Sequence, residues 1–286
     1  MTIAGFVYST LQSLQAPVIR RWYDHMTRID RDGNMLFMNY GWAGLDEPRS
    51  LRLEPEDEPF RYCMQLYDRV AGAVDLEGLR VLEVGCGRGG GASFVHRYHR
   101  PVSMTGLDFA PKSVEFCMAR HAVPGLSFVR GDAGALSFPD AEFDAVINVE
   151  SSHCYPSMKA FLEGVSRILR PGGHFLYTDY HSPAQLVELR RMFGECGLSL
   201  VEEEDISANV LRALELDNDR KKALITKLVP RGLRHMFCEF AGMEGTHTFN
   251  RSFRTGDRIY SRFVLRKPAP ESVEDAEIRE LQPAGV

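Results

Sequence analysis

The stretch Val81-Leu82-Glu83-Val84-Gly85-Cys86-Gly87-Arg88-Gly89-Gly90-Gly91 decides the fold. It reads as an apolar strand, a glycine-rich turn and the start of a helix. Gly85 and Gly87 permit a tight turn and a close approach of backbone to a ligand. Glu83 stands just before the first turn glycine, and a second acid, Asp108, closes the next apolar run, Val102 to Leu107. Two carboxylates at the ends of successive strands, beside a loop without side chains, describe a pocket for a nucleoside. Gly90 fits the third position of the dinucleotide pattern G-x-G-x-x-G, so glycine spacing alone leaves that ligand open. The early Glu83 and a third acid, Asp132 in Gly131-Asp132-Ala133, weigh against it.

Outward from this turn, strand and helix alternate. Strands are predicted at Arg80–Val84, Val102–Leu107, Leu126–Val129, Phe143–Val149, His174–Thr178 and Leu198–Glu202, and helices at Gly89–Tyr98, Pro111–His121, Met158–Leu169 and Ala184–Cys196. Pro171-Gly172-Gly173 reads as a turn, and Gly197 as a helix stop. Repeated βα units imply a parallel sheet covered by helices on both faces. Residues 207–256 interrupt the pattern as a helical insertion, and 257–268 hold a last strand, Ile259 to Leu265. Residues 1–75 read as a helical cap, with helices at Leu11–Met26 and Phe60–Val74 flanking an aromatic segment, Met35 to Trp42. The core is then 76–206, and the acidic tail 269–286 is expected to be poorly ordered.

Composition bounds the function. The 286 residues carry a net charge of −5, which argues against nucleic acid as the main partner. No run approaches the ~18 apolar residues of a membrane span. Met1 to Arg20 lacks a basic region before its apolar residues, so a cytoplasmic location is expected. The six cysteines form no CxxC pair, so reduced thiols are expected, with Cys154 nearest the site.

Glu83-Val84-Gly85-Cys86-Gly87, Asp108, Gly131-Asp132-Ala133 and Arg170-Pro171-Gly172-Gly173 resemble the motif series of class I S-adenosylmethionine-dependent methyltransferases. The resemblance covers about residues 80 to 180. It implies a Rossmann-like α/β fold with a seven-stranded, mostly parallel sheet whose last strand is antiparallel. It also implies S-adenosyl-L-methionine as cofactor, S-adenosyl-L-homocysteine as product, and no metal. Asn39-Tyr40-Gly41-Trp42, Glu150-Ser151-Ser152-His153-Cys154-Tyr155-Pro156 and Leu233-Arg234-His235 are similar to segments of the phthiotriol and phenolphthiotriol dimycocerosates methyltransferases and of natural-product sugar O-methyltransferases.

The cofactor set expected on these grounds is Tyr40, Trp42, Glu83, Gly85, Gly87, Asp108, Phe109, Gly131, Asp132, Ala133 and Asn148. Glu83 would accept from a ligand amine, Asp108 would bind ribose hydroxyls, and Asp132 would accept from an adenine amino group. Methyl transfer to oxygen requires an acceptor held in line and relieved of its proton. A histidine suits that task near neutral pH. In the sugar O-methyltransferases a histidine in the segment matching Glu150 to His153 serves as base, supported by an acid at the end of the fifth strand. His153 and Asp179 hold those places. Cys154 stands where those relatives carry a second histidine. The acceptor pocket is expected to involve Tyr155, His181, Met236, Phe237 and Phe240, the last three in the insertion. The acidic run Glu202 to Asp205 reads as a solvated face. The function expected is O-methylation of a hydroxyl on a small-molecule natural product: polyketide, aromatic, glycosylated or lipid. C- or N-methylation, and a non-catalytic cofactor-binding subunit, remain alternatives, and a homodimer is left open.

Overall fold

The computed structural model describes residues 30, 33–49, 51–246 and 249–269. The helix expected over Leu11–Met26 and the tail from residue 270 lie outside the described residues. The strands are β1 (Arg80–Val84), β2 (Ser103–Asp108), β3 (Leu126–Arg130), β4 (Phe143–Val149), β5 (Leu169–His181), β6 (Ser199–Asp205) and β7 (Ile259–Arg266). They form one seven-stranded sheet in the order β3-β2-β1-β4-β5-β7-β6. β3, β2, β1, β4 and β5 pair in parallel, and β7 runs antiparallel to both β5 and β6. The strand order reverses between β1 and β4, so the crevice beyond their carboxyl ends is where this topology opens to a ligand.

Nine α-helices accompany the sheet among the described residues: α1 (Arg61–Ala71), α2 (Gly90–His99), α3 (Pro111–Arg120), α4 (Met158–Ile168), α5 (Pro183–Glu195), α6 (Ser207–Leu216), α7 (Asn218–Leu228), α8 (Arg234–Phe240) and α9 (Phe249–Thr255). Their starts are chemically marked. Ser182 accepts from the Gln185 backbone and the Gln185 side chain answers the Ser182 backbone, a reciprocal cap with Pro183 in the first turn. One apolar cluster joins α1, α2, α3 and α6 to one face of the sheet through Leu66, Phe94, Val114 and Val210. The other joins α4 and α5 to the opposite face through Phe161, Phe175, Tyr177 and Phe193. The helices α6 to α9 all lie between β6 and β7 in sequence.

One expectation is corrected. Pro171-Gly172-Gly173 is not a turn before a strand but part of β5. Leu169 pairs with Phe143 and His174 with Ala145, so a five-residue step on β5 faces a two-residue step on β4. Gly172, at φ 81°, carries this bulge, and its N–H reaches Lys267 O at 2.8 Å. The acidic run is the solvent-facing half of edge strand β6, with Glu202 and Asp205 exposed and Glu203 and Glu204 half-buried. Arg262, buried on β7, pairs with Glu202 and, at 2.9 Å, with Glu204, while Arg190 takes Glu203 at 2.7 Å.

Candidate active site

The chain leaves β1 through Gly85 at φ 78° and Gly87 at φ 53°. Gly85 N and Cys86 N both donate to Leu107 O, at 2.8 and 3.0 Å, which ties the loop to the end of β2. Asp108 continues that tie: its Oδ2 accepts from Gly87 N and its Oδ1 from Ala110 N, each at 2.9 Å. Burial raises the Asp108 pKa although both backbone donors oppose the rise. A Cβ on Gly85 would overlap Ser151 Oγ. Ser151, Asn148 and Tyr155 form a polar cluster against the turn. Asn148 Nδ2 donates to Val84 O at 2.8 Å and lies 2.9 Å from Tyr155 Oη. The structure thus brings Tyr155 to the glycine turn.

Glu83 is fully buried. Its Oε1 accepts from Tyr67 Oη at 2.6 Å, while Oε2 has no partner among the described residues. Burial pushes its pKa up to about 7 against the Tyr67 hydrogen bond. Tyr67 reaches it because α2 and α1 cross closely: a Cβ on Gly91 would overlap the Tyr67 ring. The sequence marks Tyr67 only as an apolar position of an amphipathic helix, and its bond to Glu83 has no sequence signature. Asn148 Oδ1 and Trp42 Nε1 are likewise buried without partners among the described residues. At the far end of the crevice Gly131 N donates to Asp108 O at 3.0 Å. Beside it, Ala133 is buried, Asp132 is exposed and held by the Gly134 N–H at 2.8 Å, and Phe109 presents an exposed ring.

A second cluster lies past β4. His153 sits in a short 3-10 turn, Ser152–Cys154, and Asp179 is fully buried on β5. His153 Nδ1 is 3.0 Å from Asp179 Oδ1, and Asp179 Oδ2 accepts from His153 N at 3.1 Å and from Ser152 Oγ at 2.7 Å. Burial disfavours the imidazolium, but the adjacent carboxylate outweighs it and holds the His153 pKa well above the usual value. The same pair outweighs burial at Asp179 and brings its pKa down to about 2. Beyond Asp179 the chain of contacts continues from Ser152 Oγ to Tyr177 Oη at 2.7 Å and on to His181 Nε2 at 3.0 Å. His181 is therefore joined to His153 through four intervening bonds rather than set beside it, and burial lowers its pKa.

The His153 ring packs on Tyr180 with centroids 4.8 Å apart, and Tyr180 stacks on Tyr40 at 6.0 Å. Buried Lys221 from α7 lies over the other reach of this wall, 5.8 Å from the Tyr40 centroid. Glu150, at φ 46°, accepts from Tyr40 N at 2.7 Å and from Tyr260 Oη. It thereby joins the cap, the loop after β4 and the last strand. Tyr40 Oη donates to Phe240 O at 3.2 Å, which sets the end of α8 above the wall. Of the insertion residues expected at the acceptor, Phe237 is buried, but Met236 and Phe240 are 51% and 40% exposed. Among the described residues, no group of three His, Cys, Asp or Glu is arranged to hold a metal ion, and no helix is long and apolar enough to cross a membrane.

Residues 82–177 match the model of a methyltransferase domain. The chain is 42% identical over 247 residues to the fatty-acid O-methyltransferase of Mycolicibacterium smegmatis, covering 86% of this chain and 89% of that protein. It is 40% identical over 255 residues to the phthiotriol/phenolphthiotriol dimycocerosates methyltransferase of Mycobacterium leprae, covering 89% and 94%. Among solved structures, the geranyl diphosphate C-methyltransferase of Streptomyces coelicolor, in complex with S-adenosyl-L-homocysteine, superposes with a TM-score of 0.64. It shares 16% identity and covers 88% of this chain and 97% of that one. That likeness concerns the fold, whereas the two closer sequence relatives carry the assignment. The chain belongs to the class I S-adenosylmethionine-dependent methyltransferases.

Proposed function

We propose that the protein O-methylates a hydroxyl of a partly apolar small molecule of lipid type, with His153 as general base and Asp179 as its orienting partner. The observation that carries this reading is the Nδ1 contact to Asp179 at 3.0 Å, which leaves Nε2 as the nitrogen for the acceptor. The side chain of His153 stays 25% exposed while Asp179 is sealed. A proton on Nδ1 bound to a buried carboxylate fixes the tautomer and raises the basicity of Nε2.

The residues fit the cofactor. The unpartnered Glu83 Oε2 and Asn148 Oδ1 are buried acceptors beside a turn whose Gly85 leaves no room for a Cβ. Glu83, Gly85, Gly87 and Asn148 would hold its methionine part, and Asp108 with Phe109, Gly131, Asp132 and Ala133 its nucleoside. The Trp42 N–H, also unpartnered, belongs to this set. Tyr40 belongs instead to the acceptor wall, because its N–H and hydroxyl are both engaged within the protein. When bound, the cofactor supplies an electrophilic methyl group on a sulfonium. His153 removes the acceptor's proton as its oxygen takes the methyl, and Tyr180 and Tyr40 wall the acceptor.

The test is transfer of labelled methyl from S-adenosylmethionine to a panel of hydroxylated lipids, followed across pH. A general base contributes ~100- to 10,000-fold, so His153→Ala is expected to lose on that order of turnover with cofactor affinity unchanged. Full turnover by His153→Ala would remove the base from the mechanism.

One observation favours a second reading. The Asp179 carboxylate raises the His153 pKa against burial and so favours the cation, and a relative is a fatty-acid O-methyltransferase. An imidazolium there would hold an acceptor carboxylate, which needs no base. The two readings have opposite pH signs. A base works as neutral imidazole, so activity rises as pH climbs through its pKa. A carboxylate holder works as the cation, so activity falls over the same range.

A further inference from the structure

We infer that the insertion carries a docking face for an anionic lipid surface, built from α7, the Arg231–Leu233 turn and α8. Across α7, the turn and α8, residues 218–240, the chain has six Arg or Lys residues against two carboxylates, Asp219 and Glu239, in a protein of net charge −5. Three of the six are engaged within the fold: Arg220 with Asp217, Lys221 under Tyr40, and Arg234 on the Val229 and Thr226 carbonyls. The other three, Lys222, Lys227 and Arg231, are exposed and make no ion pair among the described residues.

Large apolar side chains are exposed on the same segment: Leu233 41%, Met236 51% and Phe240 40%. Their spacing of three and four places them on one side of a helical turn, one above another. A stripe of Leu, Met and Phe flanked by unpaired Lys and Arg has the composition of a helix that lies in a lipid headgroup layer. A cleft of about 260 Å³ opens along α7, between its Ala223, Leu224 and Lys227 and Asn34, Pro59 and Phe60 of the cap. The cleft and the end of α8, which contacts Tyr40, both belong to this segment. A protein partner would have to supply a matching acidic surface, whereas the short apolar stripe suits a fluid, anionic one.

The test is co-sedimentation with vesicles of phosphatidylcholine alone and of phosphatidylcholine mixed with phosphatidylglycerol, at low and high salt. No acceptor is added, so the result is independent of the methyl-transfer assignment. Binding is expected only to the anionic vesicles, with release by salt. At ~1 kcal/mol per basic residue near a charged surface, Lys222→Glu, Lys227→Glu and Arg231→Glu together should weaken it on the order of 100-fold. The arginine replacements Lys222→Arg and Lys227→Arg should retain it, and unchanged affinity for S-adenosylhomocysteine in both variants confirms folding. Equal binding to neutral vesicles, no binding to either, or a triple variant that binds as well as the parent overturns the inference. Self-association that buries the stripe in place of vesicle binding would assign the face to a second copy and overturn it equally.

Discussion

Asp179 holds His153 by charge and by direction, and the two can be separated by a single atom. Asp179→Asn keeps a hydrogen-bonding side chain but removes the carboxylate that holds the imidazolium. The His153 pKa is then expected to fall, so the acid limb of the pH–rate profile moves to lower pH while the plateau drops. A limb that stays in place would show that another group sets it. Glu83 has a different role. Burial brings its pKa to about 7, and one oxygen lacks a partner among the described residues. A ligand ammonium beside Oε2 would favour the ionised form, so cofactor binding below about pH 7 should release protons. Calorimetry in buffers of different ionisation heat measures that release, and Glu83→Gln should abolish it. Glu150 is structural at the same scale. Glu150→Ala strands the Tyr40 N–H and the Tyr260 hydroxyl, and each stranded buried donor costs ~1–3 kcal/mol. Denaturant unfolding should show a loss of several kcal/mol for Ala and a smaller one for Gln, which keeps an acceptor.

At the scale of elements, β6 is an edge strand whose inner charges are all directed at arginines. Arg262 is buried with two carboxylates on the neighbouring strand. Removing it as Arg262→Ala deletes pairs to carboxylates that stay 52% and 32% exposed, and Glu204 keeps Arg69 at 2.7 Å, so each lost pair is worth only ~0–1 kcal/mol. A fall in the urea midpoint without a change in slope is the expected sign, and a midpoint equal to the parent would mean that water already satisfies the acids. The βα alternation made β1 to β5 legible, because each fully buried parallel strand is an apolar run closed by a turn residue. The same logic stopped β6 at Glu202, because Glu203 to Asp205 lack apolar character; Arg262, 60 residues on from Glu202, pairs with this exposed edge from the neighbouring strand. Pro171-Gly172-Gly173 has the composition of a turn, and its pairing with Lys267 helps to draw it into the sheet. Within the candidate site, Glu83, Asp108 and His153 stand out in the sequence because carboxylates and histidines at strand ends are suited to chemistry. Tyr67, Glu150 and Lys221 do not, because their roles rest on contacts across 16 to 181 residues of chain.

Across the whole molecule these groups combine into one response to pH. Glu83 and Glu150 both have pKa values raised by burial to about 7, from 4.5 for an ordinary glutamate. The folded state therefore binds more protons than the unfolded chain between those values. Their contribution to stability is fully present below about pH 4.5 and is lost as pH rises through about 7. Each shift corresponds to something on the order of 3 kcal/mol. His153 acts with the same sign, since its raised pKa stabilises the fold below its unfolded value and is lost as pH rises through the folded one. Asp179, depressed to about 2, contributes above its ordinary 3.8 and is lost only in strong acid. Cofactor-free protein should therefore melt at a higher temperature near pH 5 than near pH 8. The double variant Glu83→Gln, Glu150→Gln removes two of the titrating groups and should flatten most of that slope. Saturating S-adenosylhomocysteine should flatten the part due to Glu83 alone, because a ligand ammonium compensates its charge. A melting temperature that climbs from pH 5 to pH 8 in cofactor-free protein would mean that Glu83 and Glu150 are ionised throughout. The site would then be organised around two buried carboxylates rather than two buried acids.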